Sequence, residues 1–126
     1  MSQEKSPRCC PKKDTINVPD SLKNQFNQMG TTTGIVSRLP QEHLETLLRS
    51  FKALSDRSRL KIFGMLTVIP SCACMLKEAT GLSDSRLSYH ISILREAGLI
   101  HGKKEKNWII YSLTVEGGEL ATLLKL

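Results

Sequence analysis

The sequence predicts a mainly α-helical fold with one small β-hairpin, and three observations carry that expectation. Leu44, Leu47, Leu48, Phe51 and Leu54 recur at i, i+3, i+4, i+7 and i+10, the stripe of a strongly amphipathic helix. Further on, Leu87, Ile91 and Leu94 repeat at helical spacing between two glycines, Gly81 and Gly98, with a short helix-prone stretch just upstream. After Gly98 the pattern becomes extended. Residues 99–101 and 108–113 are β-prone runs joined by a polar segment at 102–107, which reads as a hairpin.

The 126 residues leave room for one domain and a tail. Residues 1–38, with Pro7, Pro11, Pro19 and scattered charge, read as a mobile tail and linker, with a short helix near 22–29. Residues 39–126 form the domain. Its first helix opens at Pro40, with Glu42 and Glu45 suited to the positive helix end. A chain of this size offers the stripe Leu44, Leu47, Leu48 and Phe51 little to cover it, so a second copy of the helix is the expected partner. Asp56 or Ser55 can cap the next helix, in which Leu60, Phe63 and Leu66 form the core stripe and Arg57, Arg59 and Lys61 are exposed. Residues 68–70 end it.

The stretch 73–80 has the apolar content and the Lys-Glu pairing of a short helix. Gly81 stands where a helix end needs a left-handed residue, and Ser83 can cap the helix after it. Two helices and a tight turn make a helix-turn-helix, and the hairpin beside it makes a wing. On the second helix the face opposite Leu87, Ile91 and Leu94 carries Ser85, Tyr89 and Ser92, flanked by Arg86 and Ser88. Such short or flexible donors near a helix N-terminus suit the base edges and phosphates of a DNA major groove. His90 falls beside the apolar stripe, either as a packed core-edge residue or as a phosphate contact. Lys103, Lys104 and Lys106 form a basic finger at the hairpin tip, in reach of backbone phosphate. A terminal helix at 114–126 presents Leu120, Leu123 and Leu124; Gly117 and Gly118 cost it about 1 kcal/mol each, so its start can slip past them.

Composition agrees with such a chain. At 40% hydrophobic and 24% charged it is an ordinary globular sequence, with no apolar run of membrane-spanning length and no secretory signal, so a cytoplasmic location without membrane contact is expected. The net charge of +6 favours a polyanionic partner only mildly, since it divides evenly between residues 1–40 and 41–126. Four cysteines come as two close pairs, Cys9-Cys10 and Cys72-x-Cys74. In a reducing cytosol such pairs serve metal or redox chemistry more often than structural disulfides. No Cys-x-x-Cys accompanies a βαβ pattern, which argues against a thiol-disulfide enzyme; the chain is not read as an enzyme of any kind.

Thiolates suit zinc, cadmium, lead, copper(I) and trivalent arsenic or antimony. The one-residue spacing of Cys72 and Cys74 matters, because i and i+2 share a side of an extended segment but lie about 200° apart on a helix. Capture of one ion by both sulfurs therefore competes with a helix running through them. The same pair can instead oxidise or react with sulfur species, and both cysteines can also be read as small buried residues.

The sequence resembles the ArsR/SmtB family of metal-responsive repressors. The resemblance rests on ALSDRSRL at 53–60, the Cys72-Ala73-Cys74 unit, ATGLS at 79–83, LSYH at 87–90, LREAGL at 94–99 and the aromatic-bearing hairpin, and covers roughly 41–126. It implies a homodimeric winged helix-turn-helix that binds a palindromic double-stranded DNA operator and is released when thiolates take up a soft ion. The family's arsenic-type pattern has a third cysteine three residues after the second, where this chain has Lys77. Its cadmium/lead-type pattern adds cysteines from an N-terminal extension, where this chain has Cys9 and Cys10, adjacent rather than spaced. Some relatives bind zinc on the last helix through histidines and carboxylates; here only Glu116 and Glu119 are present, so that site is expected to be absent. The ion set implied is therefore As/Sb or Cd/Pb/Zn, held by Cys72 and Cys74 with Cys9 and Cys10 as further candidates. The leading dimer candidates are Leu44, Leu47, Leu48, Phe51, Leu120, Leu123 and Leu124. A winged-helix module that binds a protein instead of DNA is the alternative from another class.

Overall fold

The computed structural model describes residues 17–126, and the chain divides into two compact units at Leu44 and Glu45. Cys9 and Cys10 lie outside the described residues. In the first unit, α1 (Asp20–Met29) is the short helix expected there. The segment read as a linker instead forms α2 (Thr32–Ser37), because the Thr31 hydroxyl accepts the Gly34 N–H at 3.0 Å and caps it. The third helix, α3 (Gln41–Leu54), starts at the end of this unit.

Residues 45–126 hold the remainder of α3, then α4 (Arg57–Val68), β1 (Ser71–Cys72), α5 (Ala73–Thr80), α6 (Asp84–Glu96), β2 (Ile100–Glu105), β3 (Trp108–Leu113) and α7 (Val115–Leu124). The strands form one antiparallel sheet in the order β1-β3-β2. Helix α4 is the central scaffold, touching α5, α6, α7 and β3. Around it Ile62, Phe63, Leu66, Leu76, Leu87, Ile91, Leu94, Leu99, Ile100 and Tyr111 close a single apolar core. None of the helices in the described residues is long and apolar enough to cross a membrane.

Three local readings change in the structure. On α4 the inward arc is Arg59, Ile62, Phe63 and Leu66, at i, i+3, i+4 and i+7, so Leu60 turns outward at 42% exposure and Arg59 is half-buried instead of exposed. The terminal helix does not slip past its glycines. Thr114 caps it by accepting the Gly117 N–H at 2.9 Å, and a Cβ on Gly117 would collide with the Leu99 carbonyl, so glycine permits a close approach of the helix to the backbone just before β2. The hairpin turn is also tighter than the polar segment suggested. Strand β2 runs on to Glu105, leaving Lys106 and Asn107 as a two-residue turn with Lys106 at a φ of 57°, so Lys103 and Lys104 sit on a strand and Lys106 alone of the three is in the turn.

Candidate nucleic-acid interface and thiol pair

The reading helix is positioned by its caps. Gly81 takes the left-handed conformation at φ 74° and its N–H donates to the Lys77 carbonyl at 2.8 Å, which ends α5. The Ser83 hydroxyl accepts the Arg86 N–H at 3.3 Å and opens α6. Lys77 Nζ and Asp84 Oδ1, 3.0 Å apart, bridge the two helices at the surface, a contact of little energetic weight at that exposure. Gly98, at φ 78°, turns the chain from α6 toward β2.

With Leu87, Ile91 and Leu94 buried, Ser85, Arg86, Ser88 and Tyr89 all face solvent, Tyr89 at 61% exposure. Ser92, further along, donates its hydroxyl back to the Tyr89 carbonyl at 2.8 Å. His90 is not on this face. It is 5% exposed, and its Nδ1 lies 2.9 Å from Arg59 Nη1. A guanidinium has no acceptor, so Nδ1 must accept and the ring proton sits on Nε2. Arg59 Nε also donates to the Ala53 carbonyl at 2.5 Å, and Asp56 caps α4 by accepting the Ser58 and Arg59 N–H groups at 2.9 and 3.2 Å. The Arg59 N–H bond, opposed by partial burial and assisted by the guanidinium charge, holds the Asp56 carboxyl below its ordinary value. Asp56, Arg59 and His90 thus fasten the start of α4 to the middle of α6. Of the two sequence-based alternatives for His90, the packed core-edge position is the one found, but its contact with Arg59, spanning 31 positions, has no local sequence signal.

On the wing, Lys103 pairs across the sheet with Ile110 and Lys104 with Ile109, and all three lysines are exposed. Gly102 lies opposite Tyr111, whose ring a Cβ at that position would crowd.

The thiol pair straddles a structural boundary. Cys72 is extended, at φ −85° and ψ 170°, half-buried, and paired with Ile110 of the wing strand β3. Cys74 lies in the first turn of α5 and is exposed. Strand β1 escaped the sequence reading because two residues carry no periodicity of their own. Cys74 borders a shallow groove of about 440 Å³ with Lys77, Glu78, Gly81 and Leu82. Among the described residues no three His, Cys, Asp or Glu side chains gather as a metal site, so the donors on hand are the Cys72 and Cys74 sulfurs.

The apolar residues expected at a twofold interface are largely uncovered. Leu44, Leu48, Phe51, Leu123 and Leu124 are exposed, while Leu47 is half-buried and Leu120 packs partly against the core.

A helix-turn-helix with a β-hairpin wing, an exposed polar reading face and lysines on the wing defines the winged-helix class of DNA-binding proteins. Residues 56–101 match the model of the bacterial regulatory proteins of the arsR family. The chain is 37% identical over 76 residues to the arsenical resistance operon repressor of Bacillus subtilis, covering 60% of this chain and 72% of that one. It therefore belongs to the ArsR family of bacterial transcriptional regulators. Among solved structures, reduced HlyU from Vibrio cholerae superposes with a TM-score of 0.61 at 29% identity, covering 67% of this chain and 90% of that one. The homodimeric winged helix-turn-helix DNA-binding domain of Mb0332 from Mycobacterium bovis shares the fold, with a TM-score of 0.63 at 23% identity over 68% of this chain and 80% of that one.

Proposed function

We propose that this chain is a homodimeric repressor that binds a palindromic operator in the cytoplasm and is released when Cys72 and Cys74 capture a soft metal or metalloid ion. One observation supports the switch above others: Cys72 is both paired to the wing strand and the last extended residue before the first helix of the reading head. In the described conformation Cys72 is extended and Cys74 helical. Bringing both sulfurs to one ion favours extended backbone through residue 74, which shortens α5 at its start and disturbs the strand pairing beside it. Both DNA-contacting elements then feel the ion, the reading helix through the Gly81 turn and the wing through Ile110.

Ser85, Arg86, Ser88 and Tyr89 read the groove, while Lys103, Lys104 and Lys106 hold backbone phosphate. Such a protein acts by binding, not by catalysis. Two thiolates leave trivalent arsenic or antimony one ligand short and cadmium or lead shorter still, so Cys9 and Cys10 of the tail are the candidates to complete the sphere. The arsenical-operon relative supports arsenic as the inducer. A second reading keeps the same fold with a redox or sulfur-species switch. Its support is that Cys72 and Cys74 suffice for it, with no third donor required.

The test is a mobility shift with DNA upstream of the protein's own reading frame, repeated with arsenite, antimonite, cadmium, lead, zinc and peroxide. Release by an ion under reducing conditions supports the first reading, release by peroxide alone supports the second, and absence of any DNA complex overturns both.

A further inference from the structure

Beside α6, on a side given no role so far, lies a groove of about 310 Å³ lined by Arg49 and Lys52 of α3, Arg59 of α4, and Ile93, Glu96 and Ala97 at the end of α6 and just past it. Three of its side chains are cationic and one is anionic. Arg49 and Lys52 are exposed, and among the described residues no carboxylate lies within ion-pair reach of either. Arg59 directs Nε and Nη1 inward to Ala53 and His90, which leaves further N–H donors of its fork free of those two bonds. Uncompensated cations around a concavity hold a local positive potential that an anion would relieve.

Position selects the anion. Residues 86 and 93 of α6 and its C-cap Ala97 follow one another at i, i+7 and i+11, so the groove continues the flank that starts at Arg86 in the reading face. The separation from Arg86 to Ile93 is about 10 Å along the helix axis. A duplex held by α6 would have its backbone running beside that flank.

We infer that Arg49 and Lys52 form a second phosphate-binding patch, which grips the DNA backbone alongside the groove that α6 enters. The inference rests on the DNA-binding reading above. It adds contacts that carry no sequence information but set affinity and its salt dependence. Glu96 on the groove wall opposes the phosphate, so its neutralisation should strengthen the same contact.

Operator binding by labelled-DNA anisotropy, measured from 50 to 200 mM salt, tests the patch in the full chain. In the homodimer the two copies of the patch supply four phosphate contacts, a slope of roughly 3.6 in log affinity against log salt, so the wild-type advantage over Arg49→Ala/Lys52→Ala should shrink roughly 150-fold across that range. Glu96→Gln should bind more tightly than wild type. Both variants should keep the wild-type melting behaviour and assembly state. An unchanged slope in the double variant, while wild type binds normally, would overturn the patch and leave the reading head intact. Failure of wild type to bind duplex DNA at all would overturn both. Stabilisation of the DNA-free protein by inorganic phosphate over chloride, lost in the double variant while its operator slope stays wild-type, would assign the groove to a small anion and refute the backbone contact.

Discussion

The Arg59 guanidinium lies 2.9 Å from Nδ1 of the buried His90 and so ties the first turn of α4 to the middle of the reading helix. Removing one partner strands the other. Arg59→Ala leaves a buried imidazole nitrogen and the Ala53 carbonyl without their donor, at a cost of about 1–3 kcal/mol. Urea unfolding should show that loss as a lower midpoint with an unchanged slope, and DNA affinity should fall even where the variant remains folded. Asp56 belongs to the same cluster. Its carboxyl is held below its ordinary value of 3.8, so the stabilisation it provides is present above that pH and lost as pH falls through the lower folded value. Asp56→Asn should therefore flatten the acid limb of the stability curve below about pH 4.

The reading face and the wing should fail differently. Arg86→Ala and Tyr89→Ala should each cost about 1–3 kcal/mol on the operator if the side chain contacts a base, with folding unchanged and discrimination reduced. Neutralising Lys103, Lys104 and Lys106 should weaken all duplexes alike and flatten the salt dependence. Competition between operator and scrambled duplexes separates the two behaviours. Equal losses on both duplexes for Arg86 and Tyr89 would refute this orientation of α6.

Much of this architecture was legible because the signals are local. Gly81 and Gly98 announce their turns by residue type, Ser83 announces its cap, the α4 cap narrows to Asp56 or Ser55 with Asp56 found, and the period of Leu87, Ile91 and Leu94 places the polar face of α6 without tertiary knowledge. What was missed depends on partners far along the chain. Ser71 and Cys72 form a strand only because Tyr111 and Ile110 are there to pair with them. Gly117 is fixed by the Leu99 carbonyl, and Arg59 is drawn inward by Ala53 and His90 while the apolar Leu60 is left outside. Periodicity weighs hydrophobicity, and it assigns a half-buried arginine to the surface.

The proposed dimer would use the exposed apolar side chains of α3 and α7. Charge substitution at Leu48 or Phe51, both nearly half exposed, should leave the fold intact and yield monomers in analytical ultracentrifugation. Operator affinity should drop steeply, since two half-sites engaged together gain through effective concentration what one alone lacks. A wild-type chain that sediments as a monomer and still binds its operator tightly would refute the dimer.

The role of the tail can be separated from that of the thiol pair. Deleting residues 1–20 should leave apo affinity for DNA unchanged. If Cys9 or Cys10 completes the ion's sphere, the inducer concentration needed for release rises and the sulfur-to-metal charge-transfer absorbance weakens. Identical spectra and affinities would exclude both tail cysteines from the site.

The most direct test of the switch is operator release from the Cys72→Ser/Cys74→Ser protein, followed by labelled-DNA anisotropy while arsenite or cadmium is titrated under reducing conditions. The double variant should bind the operator with near wild-type affinity and stay bound at ion concentrations that release wild type completely. Full release of the variant over the wild-type concentration range would contradict a switch built on these two thiols.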